Sequence, residues 1–173
     1  TLPGAPCLLD RGQADGVAGR YLEMEQRGEL ITLGERTVPV APWLAAVMAR
    51  VADQPVAALT ADRYKQAELG EAMQRAGIRA PVVWRGQGFR YGGEDCERFR
   101  RAAFDGQVRA APSLLLRSAF ADAVVLRDPS NNLKLAKARS MGRIDAAAAA
   151  VLAVAEGARI AARPRSRGRM AWM

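Results

Sequence analysis

The 173-residue sequence contains no histidine, and this absence excludes much of enzyme chemistry. Histidine is the commonest general base, the middle member of Ser-His-Asp triads and a common metal ligand. The two cysteines, Cys7 and Cys96, form no CxxC pair, whereas a structural zinc site needs about four ligands. Any catalysis must therefore use carboxylates, hydroxyls, lysine, arginine or a bound ion.

Aromatic residues and long apolar runs are also scarce. Aromatic residues make up 6% of the chain, so alanine, leucine and valine must fill the core. No apolar run approaches the roughly 20 residues of a membrane-spanning helix. The opening TLPGAPCLLDRGQADG lacks the charged and apolar regions of a signal peptide. Together with two separate cysteines, these patterns predict a cytoplasmic protein with reduced thiols and no membrane partner.

Positive charge is in excess. Lysine and arginine number 26 against 18 acidic residues, a net charge of +8. This excess favours a polyanionic partner, nucleic acid before an acidic membrane, although some soluble domains are basic without such a partner. The sequence has no GxxxxGK[ST] phosphate loop, so ATP hydrolysis by this chain alone is not expected.

Strand and helix patterns alternate along the chain. VAALTA (56–61) and PVVWR (81–85) are typical of buried strands, AVVLRD (123–128) of a further strand, LKLAKA (133–138) of a partner strand or an arm, and 144–163 of a helix. RGQGFRYGGED (85–95) and the first 20 residues are interpreted as loops. The alternation predicts one α/β domain over 1–163, with a largely parallel sheet, followed by a basic, disordered tail over 164–173.

Three aspartates stand where ligands bind in open parallel sheets, at strand or helix ends. Asp62 follows the first buried strand, Asp128 follows the third, and Asp145 opens the last helix. If the N-terminus of that helix faces the strand ends, Asp62 and Asp145 converge. The alternative is structural, since aspartate is a common N-cap, a favoured first-turn residue and a turn starter.

The surroundings of Asp145 favour chemistry over capping. Four cations flank it: Lys134, Lys137, Arg139 and Arg143. A cap needs no such charges, whereas a site that cuts phosphodiesters needs carboxylates for Mg²⁺ or Mn²⁺ and cations for the DNA backbone. Paired metal ions can stabilise the attacking and leaving oxygens together, without histidine. We therefore predict Asp62 and Asp145 as metal ligands and the four cations as DNA-binding residues.

Four segments in order, VAALTADRYKQAEL, VVWRGQGF, DPSNNLKLAK and RIDAAAAAVLAVAEG, resemble the C-terminal nuclease domain of the large terminase subunit of tailed phages and related gene-transfer particles. The most specific part is D-x-x-x-N-x-K-x-x-K at Asp128, Asn132, Lys134 and Lys137. The resemblance implies an RNase H-like mixed sheet flanked by helices. It also implies a metal-dependent endonuclease that cuts concatemeric double-stranded DNA in the bacterial host cytoplasm, with the small terminase subunit and the portal as partners.

The resemblance assigns Asp62 to the family's second metal-binding acid and Asp145 to its third. The family's first acid lies on an earlier strand and has no match here, because Asp10 and Asp15 stand in predicted loop. The chain is thus expected to be a nuclease domain truncated at its N-terminus, with one ligand missing and its activity correspondingly in doubt. The alternative is a non-catalytic, basic DNA-binding or assembly module on the same fold.

Overall fold

The computed structural model describes residues 1–52, 54–86 and 88–163, which form an α/β arrangement, as predicted. The helices are α1 Leu8–Ala14, α2 Arg20–Gln26, α3 Val40–Arg50, α4 Gln66–Arg75, α5 Phe89–Phe104, α6 Leu114–Ala121 and α7 Asp145–Ala161, with a 3₁₀ turn at Lys137–Arg139. The strands are β1 Leu59–Asp62, β2 Val82–Arg85, β3 Val125–Arg127 and β4 Leu133–Leu135. The tail predicted over 164–173 lies outside the described residues.

The strands of the described part form two small sheets rather than the single, largely parallel sheet expected. β1 pairs in parallel with β2, with Leu59 opposite Val82 and Asp62 opposite Arg85. β3 and β4 form a separate antiparallel hairpin. The strands are three or four residues long, and α5 packs against β4. The hairpin is therefore held by a helix rather than by a shared ladder of hydrogen bonds.

One face of the β1–β2 sheet is covered by α3 and α4. Leu44 of α3 and Met73 of α4 are buried, and they belong to a cluster that packs on Leu59, Val82 and Trp84. The apolar residues of α3 recur at the three-four spacing that places them on one side of a helix. Burial of this stripe fixes the sheet against the helix pair.

Small residues allow α7 to pack closely against α5 and α6. Ala147, Val151 and Ala155 follow one another at intervals of four along α7, and all three are buried. Alanine adds little bulk beyond the backbone, so neighbouring helices can approach α7 closely. No helix of the described residues is long and apolar enough to cross a membrane.

The first 20 residues contain α1, so their interpretation as loop was wrong. Leu8 of α1 packs with Val17, Tyr21, Met24 and other buried residues of the same cluster. An isolated parallel β-bridge joins residue 2 to residue 32, after α2. Tertiary packing against α2 thus decides the structure of a segment whose glycine and proline content favours a loop.

The glycine-rich segment 85–95 was also predicted as loop, but most of it is helical. α5 begins at Phe89 and includes both Gly92 and Gly93. A Cβ atom added to Gly92 would lie 3.1 Å from Cβ of Lys134, and one added to Gly93 would lie 3.0 Å from Cβ of Asn132. The glycines therefore allow the β3–β4 hairpin to approach the helix more closely than other residues would.

Candidate functional site at the start of α7

Asp145 is the first residue of α7, as the sequence predicted. Its Oδ1 accepts a hydrogen bond from Nζ of Lys137 at 2.5 Å, and both side chains are more than half exposed. The preceding residue, Ile144, makes no side-chain cap. The helix dipole favours an acid here, but the partner of this carboxylate is a lysine side chain rather than the helix backbone.

A cavity of about 480 Å³ surrounds this carboxylate. It is lined by Ala14, Asp15, Lys137, Ser140, Gly142, Arg143, Ile144 and Asp145. Two carboxylates and two cations thus share one polar opening. The predicted residues Lys137, Arg143 and Asp145 are brought together here.

Asp15 belongs to this cavity although sequence reasoning had set it aside. Its Oδ2 accepts hydrogen bonds from Nε of Arg143 at 2.8 Å and from the hydroxyl of Tyr21 at 2.9 Å. The Tyr21 oxygen in turn accepts the backbone N–H of Arg143 at 3.0 Å. Burial, followed by the bond to Asp15, raises the pKa of Tyr21 to about 12, and Asp15 raises the pKa of Arg143. No local sequence pattern could reveal the contacts of Tyr21 and Asp15 with Arg143, because these residues are 122 and 128 positions apart.

Asp62 is the last residue of β1, and its carboxylate accepts the backbone N–H of Tyr64 at 2.9 Å. It does not cap α4, which begins at Gln66 after Lys65, so the capping interpretation was wrong for this residue. Asp62 is not among the residues that line the cavity around Asp145.

A buried ion-pair cluster ties the end of β2 to α5 and α7. Asp95 is 2% exposed and accepts two hydrogen bonds from Arg85, from Nε at 3.0 Å and from Nη2 at 2.5 Å. It accepts a third from Nη2 of Arg159 at 3.0 Å. Arg159 also pairs with buried Glu156. Burial, and then the charge of Arg85, lower the pKa of Arg159.

This cluster bears on the predicted meeting of Asp62 and Asp145. Arg85 lies opposite Asp62 in the ladder, but Arg159 lies in the last turns of α7, about 21 Å along the helix axis from Asp145 at a rise of about 1.5 Å per residue. The link from Arg85 to α7 through Asp95 is therefore made far from the start of that helix. The convergence of the two aspartates stays a prediction.

The other two predicted DNA-binding cations, Arg139 and Lys134, are not among the residues that line the cavity. Arg139 is exposed at the end of the 3₁₀ turn. Lys134 lies on β4 with its Nζ 4.5 Å from the ring centroid of Phe89, so it stands at the start of α5. At most about 10 Å of extended chain separates it from Lys137.

Asp128 forms the turn that the sequence predicted. Its Oδ1 accepts the backbone N–H of Asn132 at 2.8 Å, and its Oδ2 accepts the side-chain amide of Asn132 at 2.9 Å. The side-chain bond, above all, lowers the pKa of Asp128. Within the D-x-x-x-N-x-K-x-x-K segment, Asp128 and Asn132 therefore close the hairpin. Lys134 lies on β4, and Lys137 opens the 3₁₀ turn that follows.

Carboxylates are suitable donors for Mg²⁺ or Mn²⁺. Within residues 1–52, 54–86 and 88–163, however, no group of three aspartate, glutamate, cysteine or histidine side chains is placed to hold one metal ion.

An α/β fold with a polar cavity of acids and cations at the start of a small-residue helix agrees with the class of protein predicted from the motifs, the large subunit of phage terminases. The chain is 28% identical over 104 residues to the terminase large subunit of Enterobacteria phage HK97, which covers 60% of this chain and 21% of that protein. It also resembles the crystal structure of the HK97 bacteriophage large terminase, with a TM-score of 0.77 and 25% identity over 85% of this chain and 30% of that one. These matches confirm the predicted resemblance.

The chain spans less than a third of the length of these two relatives. No family model matches it.

Proposed function

We propose that this chain is the nuclease part of a large terminase subunit, built on an RNase H-like fold, and that it cuts concatemeric double-stranded DNA during genome packaging. The observation that carries the proposal is the structural likeness to the HK97 large terminase over 85% of the chain. The acid-and-lysine pattern around Asp145 supports the assignment to the nuclease rather than to another part of such a subunit. The small terminase subunit and the portal are the proposed partners, in the host cytoplasm.

The proposed metal ligands are Asp62 and Asp145. Mg²⁺ or Mn²⁺, when bound, would supply an activated water and a counter-charge for the cleaved phosphate. Nζ of Lys137 donates a hydrogen bond to the carboxylate of Asp145 at 2.5 Å. The described residues form no complete metal-binding group, so the proposal commits to these two ligands and to no further geometry.

The cations around the cavity are proposed to hold the DNA backbone. Lys137 and Arg143 line the cavity, whereas Arg139 and Lys134 lie on either side of Lys137 in the chain. Contacts to phosphate carry no base information, so cutting should show little sequence specificity. Binding should weaken steeply with salt because each neutralised phosphate releases counter-ions.

Cleavage should depend on the carboxylate of Asp145. Replacing Asp145→Asn should reduce nicking of supercoiled plasmid in Mg²⁺ or Mn²⁺ to background, because the amide removes the negative charge that a divalent ion requires. DNA binding, measured by fluorescence anisotropy, should stay close to that of the unmodified chain. Asp105→Asn, at an exposed aspartate just after α5, is the matched control and should change neither. Wild-type nicking by Asp145→Asn would remove Asp145 from the site.

A non-catalytic DNA-binding or assembly module is the second candidate. It is favoured by the contact of Asp145 with Lys137, because a cation already occupies one oxygen of this carboxylate. Its signature is a chain that shifts plasmid DNA in a gel but leaves it supercoiled with either metal ion. In that case the cavity around Asp145 would act as a phosphate-binding surface only.

A further inference from the structure

Tyr64 is the most exposed of the large apolar side chains in the described part of the molecule, at 84%. It follows the predicted metal ligand Asp62 and stands between Arg63 and Lys65, both also exposed. A single exposed aromatic residue is common on protein surfaces. The position of this one, between two cations and beside a predicted catalytic acid, calls for a more specific account.

The loop that carries Tyr64 is fixed at its backbone. Its N–H donates to Oδ1 of Asp62 at 2.9 Å, and the N–H of Gln66 donates to the carbonyl of Arg63 at 3.3 Å. The ring therefore projects from a short, hydrogen-bonded turn between β1 and α4. A ring presented in this way loses little conformational freedom when it binds a flat partner.

The start of α5 also carries an exposed cation and an exposed aromatic ring, Arg90 and Tyr91. β1 and β2 end side by side, with Asp62 opposite Arg85, and α5 begins four residues after β2 ends. Arg85 and Arg90 lie 4.9 and 5.8 Å from the centroid of the Tyr91 ring. Lys65 is partly neutralised by Glu68 at 3.2 Å. We name these residues the strand-end surface: Arg63, Tyr64, Lys65, Arg90 and Tyr91.

Cations alternating with aromatic rings are the pattern by which proteins hold exposed nucleic-acid bases. The cations follow the phosphates while each ring stacks on a base face, without need for a particular sequence. We propose that the strand-end surface binds DNA at an unstacked base, with Tyr64 as the stacking residue. This rests on the proposed function for its partner, DNA, but requires no cleavage by the chain.

The base face could come from a single strand or from a duplex kinked at a weak step. Both offer the same chemistry, a flat ring between two phosphates. The test therefore uses three labelled oligonucleotides: a single strand, a fully paired duplex and a duplex with an internal mismatch. Fluorescence anisotropy reports affinity in each case.

Tyr64→Ala should weaken binding of the single strand and the mismatched duplex by about 5- to 100-fold, since stacking on one base has this range of effect. Tyr64→Phe, which keeps the ring, should retain the affinity. An equal loss on the perfect duplex would support the contact and identify a kinked duplex as its source. Because Tyr64 is exposed, these variants should unfold at the same temperature as the unmodified chain.

The salt dependence separates stacking from charge. Tyr64→Ala should leave the slope of log K against log salt unchanged, whereas Arg63→Gln should reduce it by about one. Phe104→Ala is the matched control, since Phe104 is 81% exposed but stands before Asp105 at the end of α5. It should leave binding unchanged.

Two results would overturn the proposal: unchanged affinity of Tyr64→Ala for all three oligonucleotides, or an equal loss in Phe104→Ala. A wild-type chain that binds none of the oligonucleotides would overturn it together with the proposed function. A chain that binds in the predicted manner but never nicks DNA would leave the stacking contact in place and reject only the nuclease.

Discussion

Glu29 precedes α3 in the chain, yet its side chain ends at the start of α6. Its carboxylate accepts the N–H of Leu114 at 3.2 Å, the N–H of Leu115 at 2.8 Å and the hydroxyl of Ser113 at 2.7 Å. Ser113 also caps the helix locally by accepting the N–H of Leu116 at 3.1 Å. Backbone groups that a helix start leaves without partners are thus satisfied by a distant acid.

The bonds from Leu115 and then Ser113 lower the pKa of Glu29 below its ordinary value of 4.5. Because the folded pKa is the lower one, the stabilisation is fully present above the unfolded pKa and is lost as pH falls through the folded pKa. Glu29→Gln should therefore lower the midpoint of thermal unfolding at neutral pH, and the difference from the unmodified chain should shrink in acid. Thermal scans monitored by circular dichroism across the acid range test this.

Glu71→Gln serves as the control for Glu29→Gln. Glu71 pairs with Arg75 on the exposed surface of α4, and such pairs contribute little. Its midpoint should stay close to that of the unmodified chain. If both variants behaved alike, the contact of Glu29 with the start of α6 would have no special role in stability.

At the scale of elements, the cluster around Asp95 joins β2, α5 and α7. The side chains of Asp95 and Arg85 are 3% and 11% exposed, and Arg159 is 24% exposed. Removing one partner from a buried pair leaves an unpaired charge, which costs about 3–5 kcal/mol. Asp95→Ala should therefore lower the free energy of unfolding by about that amount, measured by urea denaturation.

The control for Asp95→Ala lies on the same helix. Glu97 pairs with Arg100 and Arg101, and all three side chains are 44% exposed or more. Glu97→Ala should change the free energy of unfolding by less than about 1 kcal/mol. A loss as large as that of Asp95→Ala would mean that burial of the cluster is not the cause.

The contact between α5 and the β3–β4 hairpin depends on Gly93. Gly93→Ala would place a Cβ atom 3.0 Å from Cβ of Asn132, so the hairpin must move away. Gly157→Ala in α7 meets no atom within 4 Å and should stabilise by about 0.5–1 kcal/mol through helix propensity. The Gly93 variant should instead lower the free energy of unfolding, by about 1–3 kcal/mol. Stabilisation by both substitutions would contradict the close approach.

Across the whole molecule, elements with continuous local patterns could be predicted, as β1, β2, β3 and α7 were, and residue types also mark the ends of some other helices. Gly28 ends α2 with φ of 68°, and Ser113 caps α6, both at the positions their residue types favour. α1 was missed because tertiary contacts decide it: a Cβ on Gly12 would lie 1.9 Å from the carbonyl oxygen of Ala18. Residue types alone do not encode that close approach.

The candidate site also contains residues that the sequence predicted and one that it did not. Asp145 and Lys137 were predicted because Lys137 belongs to the D-x-x-x-N-x-K-x-x-K pattern and Asp145 opens the small-residue helix that follows it. Asp15 was set aside because its partners, Tyr21 and Arg143, depend on how α1 and α2 dock against the entry to α7. The division into two sheets was missed for a related reason, since strand partners are chosen by packing between distant segments.

The hydrogen bonds that Tyr21 and Asp15 make to Arg143 impose an order of events on a growing polypeptide. Their sequence separations are 122 and 128 residues, and a ribosome releases the earlier partners first. Asp15 and Tyr21 therefore lack their partner, Arg143, until the intervening chain has been made. The opening around Asp145 is consequently completed only after Arg143 has been made, and a product interrupted before Arg143 would carry the Asp15 side of it alone.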